Sequence, residues 1–182
     1  MDLTEKFISG ERVFDGKILH VGIDTVELPN GNRSTREYIR HVGAVAILPL
    51  ADNGDVVMER QFRYPVGEVV YELPAGKLDS KNEPHLEAAM RELSEETGLI
   101  ADEWIYLGKL YPAAAYTDEI LHLYIAKGLH EGDVHPDDDE FVITERIPLD
   151  ELAMLVAEGK VPDAKTQTLV MRAVYMKQRG ML

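Results

Sequence analysis

With 182 residues, the chain has the length of one domain, or of one domain with a small appendage. Cysteine is absent, which excludes disulfides, thiolate zinc sites and cysteine nucleophiles. A formal net charge of -14 argues against a nucleic-acid partner, because a polyphosphate backbone is bound by a basic face.

The opening residues Met1-Asp2-Leu3-Thr4 carry neither a basic start nor an apolar run, so no cleavable signal is read there. No apolar stretch reaches membrane-spanning length. The expected compartment is the cytoplasm, with no membrane partner.

The first third reads as strands joined by turns. Asp15-Gly16, Asn30-Gly31 and Asn53-Gly54 are hairpin-type pairs between apolar or β-branched runs. Predicted strands cover residues 17–28, 33–41, 42–50 and 55–62. A boundary at 41/42 divides an N-terminal β region, residues 1–41, from a main domain, residues 42–182. Tyr71-Glu72-Leu73-Pro74-Ala75-Gly76 then reads as a strand ending in a Pro/Gly loop. A helix is predicted over 83–97, with Asn82 as its cap, Glu83 and Pro84 in its first turn, and Gly98 as its left-handed stop. Further strands are expected over 105–111 and 120–126, followed by an acidic loop over 131–140 and an extended segment over 141–147. A short helix over 148–158 precedes a longer one, capped by Asp163, with Leu169, Val170, Ala173 and Val174 on its apolar face. Strands first, a mixed sheet and flanking helices predict an α/β sandwich.

The helix over 83–97 carries the chemistry. Glu92, Glu95 and Glu96 stand at i, i+3 and i+4, which stacks three carboxylates on one face. Unpaired, they repel one another; a hard divalent cation removes that cost, and oxygen ligands suit Mg2+ or Mn2+. Arg91 is placed four residues from Glu87 and from Glu95, where it can hold a carboxylate in a fixed orientation. Leu86, Ala89, Met90 and Leu93 are expected to face the core. On the charges alone a solvated acidic helix face is the simpler reading, but Gly76 just before the helix favours a site, since glycine allows close backbone approach.

These residues resemble the signature of the Nudix hydrolases: Gly, five residues, Glu, seven residues, Arg-Glu, aliphatic, any, Glu-Glu, any, Gly, aliphatic. Glu83, Arg91, Glu92, Leu93, Glu95, Glu96, Gly98 and Leu99 match at the expected spacings, while the loop between Gly76 and Glu83 carries one residue more than the pattern. The resemblance implies a Nudix-type α/β/α sandwich with a mixed sheet and a small N-terminal β-sheet region. It implies Glu92 and Glu96 as principal metal ligands, Glu95 binding a second metal or sharing the first, and the backbone carbonyl of Ala75 completing the coordination. The implied reaction is metal-dependent cleavage of a diphosphate. Its general base is expected in the acidic loop, at Glu140 with Asp139 next to it, although that loop also reads as merely solvated.

Beyond the helix the resemblance narrows to the branch acting on ADP-ribose and nucleoside diphosphate sugars. Thr35-Arg36-Glu37-Tyr38, Gln61-Phe62-Arg63 and Glu72-Leu73-Pro74-Ala75-Gly76 fall in that branch's order. It implies a homodimer built with the N-terminal strands. Arg36 and Arg63 become candidate phosphate or ribose contacts, and Glu72 a candidate polar contact. Tyr38 is a candidate for stacking on the base, though an aromatic residue in a strand is more often core. Asp163-Ala164-Lys165 resembles a run in several members; Asp163 is more simply a helix cap, and Lys165 is a candidate phosphate or sugar contact. One departure is chemical. Ala113-Ala114-Ala115-Tyr116 precedes Thr117-Asp118-Glu119 where ADP-ribose members commonly carry Ser-Pro-Gly-Phe. It tilts the expectation from strict ADP-ribose hydrolysis toward nucleoside diphosphate sugars more broadly. A non-catalytic nucleotide-sugar sensor is disfavoured, because the helix glutamates are present and no basic helix-turn-helix is.

Overall fold

The computed structural model describes residues 2–132 and 141–182. These cluster into two compact units, Met1–Val42 with Tyr111–Ile120, and Gly43–Leu110 with Leu121–Leu182.

The first unit is an antiparallel sheet of β1 (Lys6–Asp15), β2 (His20–Glu27) and β3 (Arg33–Arg40) in that order. Hairpins close at the expected turn pairs. At the second, Gly31 takes φ 83°, a left-handed conformation that glycine adopts without a Cβ clash. The Asn30 side chain accepts from Asn32 N at 3.0 Å. Strand β1 escaped the sequence reading for a physical reason. Its apolar residues come as adjacent pairs, Phe7-Ile8 and Val13-Phe14, instead of alternating. The register shifts at those same places, between Phe7 and Ser9 and between Arg12 and Phe14, as a bulge does when it breaks the two-residue period.

The sequence boundary at 41/42 placed residues 111–120 in the main domain, whereas they cluster with the first unit. Hydrogen bonds to the end of β3 tie them there. Ile39 N donates to Tyr116 O at 2.7 Å and Asp118 N to Ile39 O at 3.2 Å, while the Asp118 carboxylate accepts from His41 N at 2.7 Å.

The second unit holds β4 (Ala44–Pro49), β5 (Asp55–Arg63), β6 (Glu68–Glu72), β7 (Ala75–Lys77), α1 (His85–Thr97), β8 (Leu99–Leu110), β9 (Leu121–Glu131), β10 (Val142–Pro148), α2 (Leu149–Ala157) and α3 (Ala164–Gln178). One sheet runs β7-β4-β9-β8 and is mixed, with β4 and β9 parallel; the other runs β10-β5-β6, antiparallel. All six residues of β4 are buried, as expected of a strand covered on both faces. Ala46 and Leu48 join Leu123, Leu152 and Leu169 in the main core cluster. Val45 and Ile47 point the other way, and α1 packs on β4, β7 and β8. This is the α/β/α sandwich that the sequence predicts. No helix among the described residues is long and apolar enough to cross a membrane.

Helix α1 departs from its predicted details. It starts at His85, after an extended Pro84 with φ -61° and ψ 116°, and has no side-chain cap; Asn82 is not the cap. A residue before proline is driven out of the helical region, so Glu83 cannot begin the helix. Leu86 and Met90 are 38% and 45% exposed instead of core-facing, and the buried face is Ala88, Ala89, Glu92 and Leu93. The helix has turned a carboxylate inward. At its end Gly98, φ 69°, donates its N–H to Ser94 O at 2.9 Å, the expected left-handed stop.

Leu48 is fully buried at the centre of the core. Leu48→Ala is expected to cost about 2–5 kcal/mol, read as a lower urea midpoint with an unchanged m-value.

Candidate active site

The carboxylates of α1 are held by a fork. Arg91 Nη1 donates to Glu92 Oε1 at 2.8 Å and to Glu95 Oε2 at 2.9 Å, and Nη2 reaches Lys77 O at 3.3 Å and Glu83 Oε1 at 3.4 Å. Desolvation works against the guanidinium charge, but Glu92 and Glu95 outweigh it and raise the Arg91 pKa above its ordinary value. Glu83 also closes the loop that carries the additional residue. Its Oε2 accepts from Asp79 N at 2.6 Å, and its own N–H donates to Ser80 O at 3.2 Å. The insertion is therefore absorbed before the helix begins, and the helical carboxylates keep their register.

Gly76 has a specific task. A Cβ built there would stand 1.9 Å from Glu92 Cδ and about as close to both carboxylate oxygens. The space that glycine leaves is taken by Glu92, which lies against the backbone of β7. Glu96 lies along the same strand, its Oε2 accepting from Ala75 N at 2.9 Å.

A fourth carboxylate joins them that the sequence reading missed. Glu59 on β5 is 1% exposed, hydrogen-bonds Glu96 and stands in register opposite Glu72 of β6. Burial first, and the facing Glu72 second, push its carboxyl up to about 8, although the bond to Glu96 pulls the other way. The available signal was a charge ending the apolar run Val56-Val57-Met58 in phase with Gln61 and Arg63, since alternate strand positions share a face.

Arg63, Glu72, Asp163 and Lys165 come together. Glu72 is 2% exposed. It accepts a bidentate pair from Arg63, Nε at 2.8 Å and Nη2 at 3.0 Å, and a further bond from Lys165. Lys165 Nζ also lies 3.2 Å from Asp163 Oδ2. Asp163 is indeed the cap of α3, accepting from Thr166 N at 2.9 Å and from Thr166 Oγ1 at 2.6 Å. Thr166 Oγ1 in turn accepts from Leu73 N at 2.9 Å, which ties the cap to the segment after β6. With Val66 and Val70 these four side chains line a cavity of about 480 Å³.

Arg36 and Tyr38 belong to the first unit and are engaged within it. Arg36 bonds both oxygens of Glu5, Ser34 Oγ at 3.1 Å and Thr35 O at 2.8 Å. The Tyr38 hydroxyl donates to Asp24 at 3.0 Å, Arg40 stacks over its ring at 4.3 Å, and a Cβ on Gly22 would collide with that ring at 2.6 Å. Tyr38 is thus packed on its own sheet. Glu140 and Asp139, expected to supply the base, lie outside the described residues.

Among the described residues no three acidic or imidazole side chains converge as a finished metal cage. Arg91 draws Glu92 and Glu95 toward itself, and the Ala75 amide takes Glu96. The donors nonetheless fit a hard divalent cation: all are carboxylates, and Glu59 Oε1 is buried without a hydrogen-bond partner among the described residues.

A sandwich of this topology with a glutamate-bearing helix laid on a glycine strand is the Nudix fold. Residues 40–168 match the NUDIX domain family, so the chain belongs to that family and is a Nudix hydrolase. It is 41% identical over 166 residues to the ADP-ribose pyrophosphatase of Bacillus subtilis (strain 168), covering 90% of this chain and 89% of that one. It is 40% identical over 164 residues to the methanol dehydrogenase activator of Bacillus methanolicus, covering 89% and 88%. A crystal structure of an ADP compounds hydrolase shares the fold with a TM-score of 0.88 over 100% of both chains, at 24% identity.

Gly76→Ala tests the packing of Glu92 on β7. The new Cβ must displace either the strand or the carboxylate, and a shift of about 1 Å in a positioned group can cost on the order of 100-fold in rate. We expect a loss of that size in kcat/KM, with the fold retained by circular dichroism.

Proposed function

We propose that the protein hydrolyses the pyrophosphate bond of nucleoside diphosphate sugars, ADP-ribose among them, giving a nucleoside monophosphate and a sugar phosphate. The observation that carries this reading is the glutamate face of α1 lying against Ala75 and Gly76, on a framework that also presents Arg63 and Lys165 to a cavity of small-molecule size.

Glu92, Glu95 and Glu96, with the carbonyl of Ala75, would hold Mg2+ or Mn2+. Such a cation supplies neutralisation of diphosphate charge and acidifies bound water. The chain's own residues do the remaining work. Arg91 sets the orientation of Glu92 and Glu95, and the Ala75 amide sets that of Glu96. Arg63 and Lys165, positioned by Glu72, offer donors to phosphate or sugar oxygens. A water adds to one phosphorus, the bond from that phosphorus to the bridging oxygen breaks, and the water's proton passes to a base. We assign that base to Glu140, with Asp139 as the neighbouring candidate, on the family resemblance of the acidic segment. Arg36 and Tyr38 are proposed as contacts supplied by the N-terminal strands in a homodimer, and Asp163 as a contact through Lys165.

Strict ADP-ribose hydrolysis is the second reading, favoured by the name of the Bacillus subtilis relative. The altered segment Ala113-Ala114-Ala115-Tyr116 favours the broader one. It forms a turn closed by Tyr116 N donating to Ala113 O at 3.1 Å, with neither the proline nor the glycine of the ADP-ribose pattern.

ADP-ribose, GDP-mannose, UDP-glucose and ADP-glucose assayed with and without Mg2+ decide between them. Monophosphate release from several of the four supports the broad reading, release from ADP-ribose alone supports the strict one, and no metal-dependent release from any defeats both. Glu140→Gln is expected to lower turnover on the order of 100-fold or more with metal affinity unchanged; wild-type turnover in that variant would remove the base assignment.

A further inference from the structure

Glu59 presents an electrostatic problem that the described protein groups offset only in part. It is 1% exposed on the central strand of the β10-β5-β6 sheet, with another buried glutamate, Glu72, directly opposite on β6. Like charges facing each other across a strand pair are destabilising, and burying a charge is costly unless it is paired. Glu72 is paired twice, by the Arg63 fork and by Lys165. Those cations bond Glu72 directly and act on Glu59 only through space, too weakly to offset its burial. Glu59 is left bonded to a second carboxylate, Glu96, while its Oε1 meets no hydrogen-bond partner among the described residues. Two carboxyls in contact share either a proton or a cation, and the burial that raises Glu59 makes it the one that holds the proton when no cation is bound. Its second oxygen remains a buried acceptor facing that contact, without a donor among the described residues. Glu59 therefore points at Glu96 from the β5 side, while Glu92 and Glu95 belong to α1 itself.

We propose that Glu59 is a ligand, together with Glu96, of the divalent cation that the helix glutamates bind, so that the metal site takes a carboxylate from β5 as well as from α1. This rests on the metal-dependent reading above. It makes the site draw on three secondary-structure elements, α1, β7 and β5. A cation bound there offsets the charge of a residue that otherwise weakens the fold.

The test is Mn2+ binding to the full chain, followed by electron paramagnetic resonance of the free ion, with water-proton relaxation reporting how many waters remain on the bound one. Glu59→Gln keeps the shape and the ability to bond Glu96 but removes the charge. Glu96→Gln is the positive control, and Glu87→Gln, on an exposed position of the same helix, the negative one. We expect Glu59→Gln and Glu96→Gln each to weaken Mn2+ binding about 10-fold or more and to raise the water count on the bound ion. Glu87→Gln should bind as wild type. In EDTA the melting temperature of Glu59→Gln should equal or exceed that of the wild type, which separates a ligand from a residue needed for folding. Wild-type affinity in Glu59→Gln beside a weakened Glu96→Gln would overturn the assignment and leave the metal reading standing. Weakened binding with an unchanged water count would overturn it too, placing Glu59 behind Glu96 and not on the cation. A wild-type chain that binds no Mn2+ would end the metal reading and this inference together.

Discussion

The Glu92 carboxylate lies against the backbone of β7, in space that exists only because residue 76 has no Cβ. Much of the site follows from that contact. It brings the buried face of α1 round to Glu92, which leaves Leu86 and Met90 at the surface and puts Ala88, Ala89 and Leu93 beneath the helix. It sets Glu96 beside the Ala75 amide. It also places Arg91 where a single guanidinium can bridge Glu92, Glu95 and Glu83. A helix face with this much negative charge stays ordered because each carboxylate is oriented by a donor before any ligand arrives.

The same economy of charge governs the neighbouring cavity. Glu72 is almost fully buried, and breaking a buried pair by removing one partner strands the other charge. Arg63 and Lys165 therefore cannot be read as free cations awaiting a phosphate. They are held in place by Glu72 and present only their remaining donors. Lys165 is further restrained by Asp163, whose carboxylate also caps α3. The architecture of the first helical turn and the positioning of a candidate substrate contact are thus one structure.

What could be read from the residues alone was whatever depends on short, regular spacing. The three glutamates of α1 share a face because the helical period dictates it, and the turn pairs at Asn30-Gly31 and Asn53-Gly54 stand between strands because their backbone requirements are local. The last two helices were legible for the same reason. Features that depend on pairing between distant segments were not. The bidentate bond from Arg63 to Glu72 is set by the β5–β6 register. Lys165 meets Glu72 across 93 positions of chain, and residues 111–120 join β3 through bonds between segments far apart in sequence. Glu59 lay in view as a charge in an apolar strand, but its meaning appears only once Glu72 and Glu96 are seen beside it. The cap at Asn82 failed on a local rule that was available, the effect of Pro84 on the residue before it.

Helix α1 is anchored very differently at its two ends. At its C-terminus Gly98 alone separates it from β8, and Gly132 N bonds Gly98 O at 2.9 Å. At its N-terminus an irregular loop intervenes between β7 and His85. There His85 is held from the side, its Nδ1 hydrogen-bonding the Tyr124 hydroxyl and its ring stacking on His122 at 4.0 Å. A small tilt about Gly98 moves each residue in proportion to its distance from that turn, at about 1.5 Å of rise per position. Glu96 and Glu95 lie only about 3–5 Å away, and Glu92 about 9 Å, against roughly 20 Å for His85. The glutamates thus sit nearest the covalent turn into β8, where a tilt of the helix about that turn displaces side chains least.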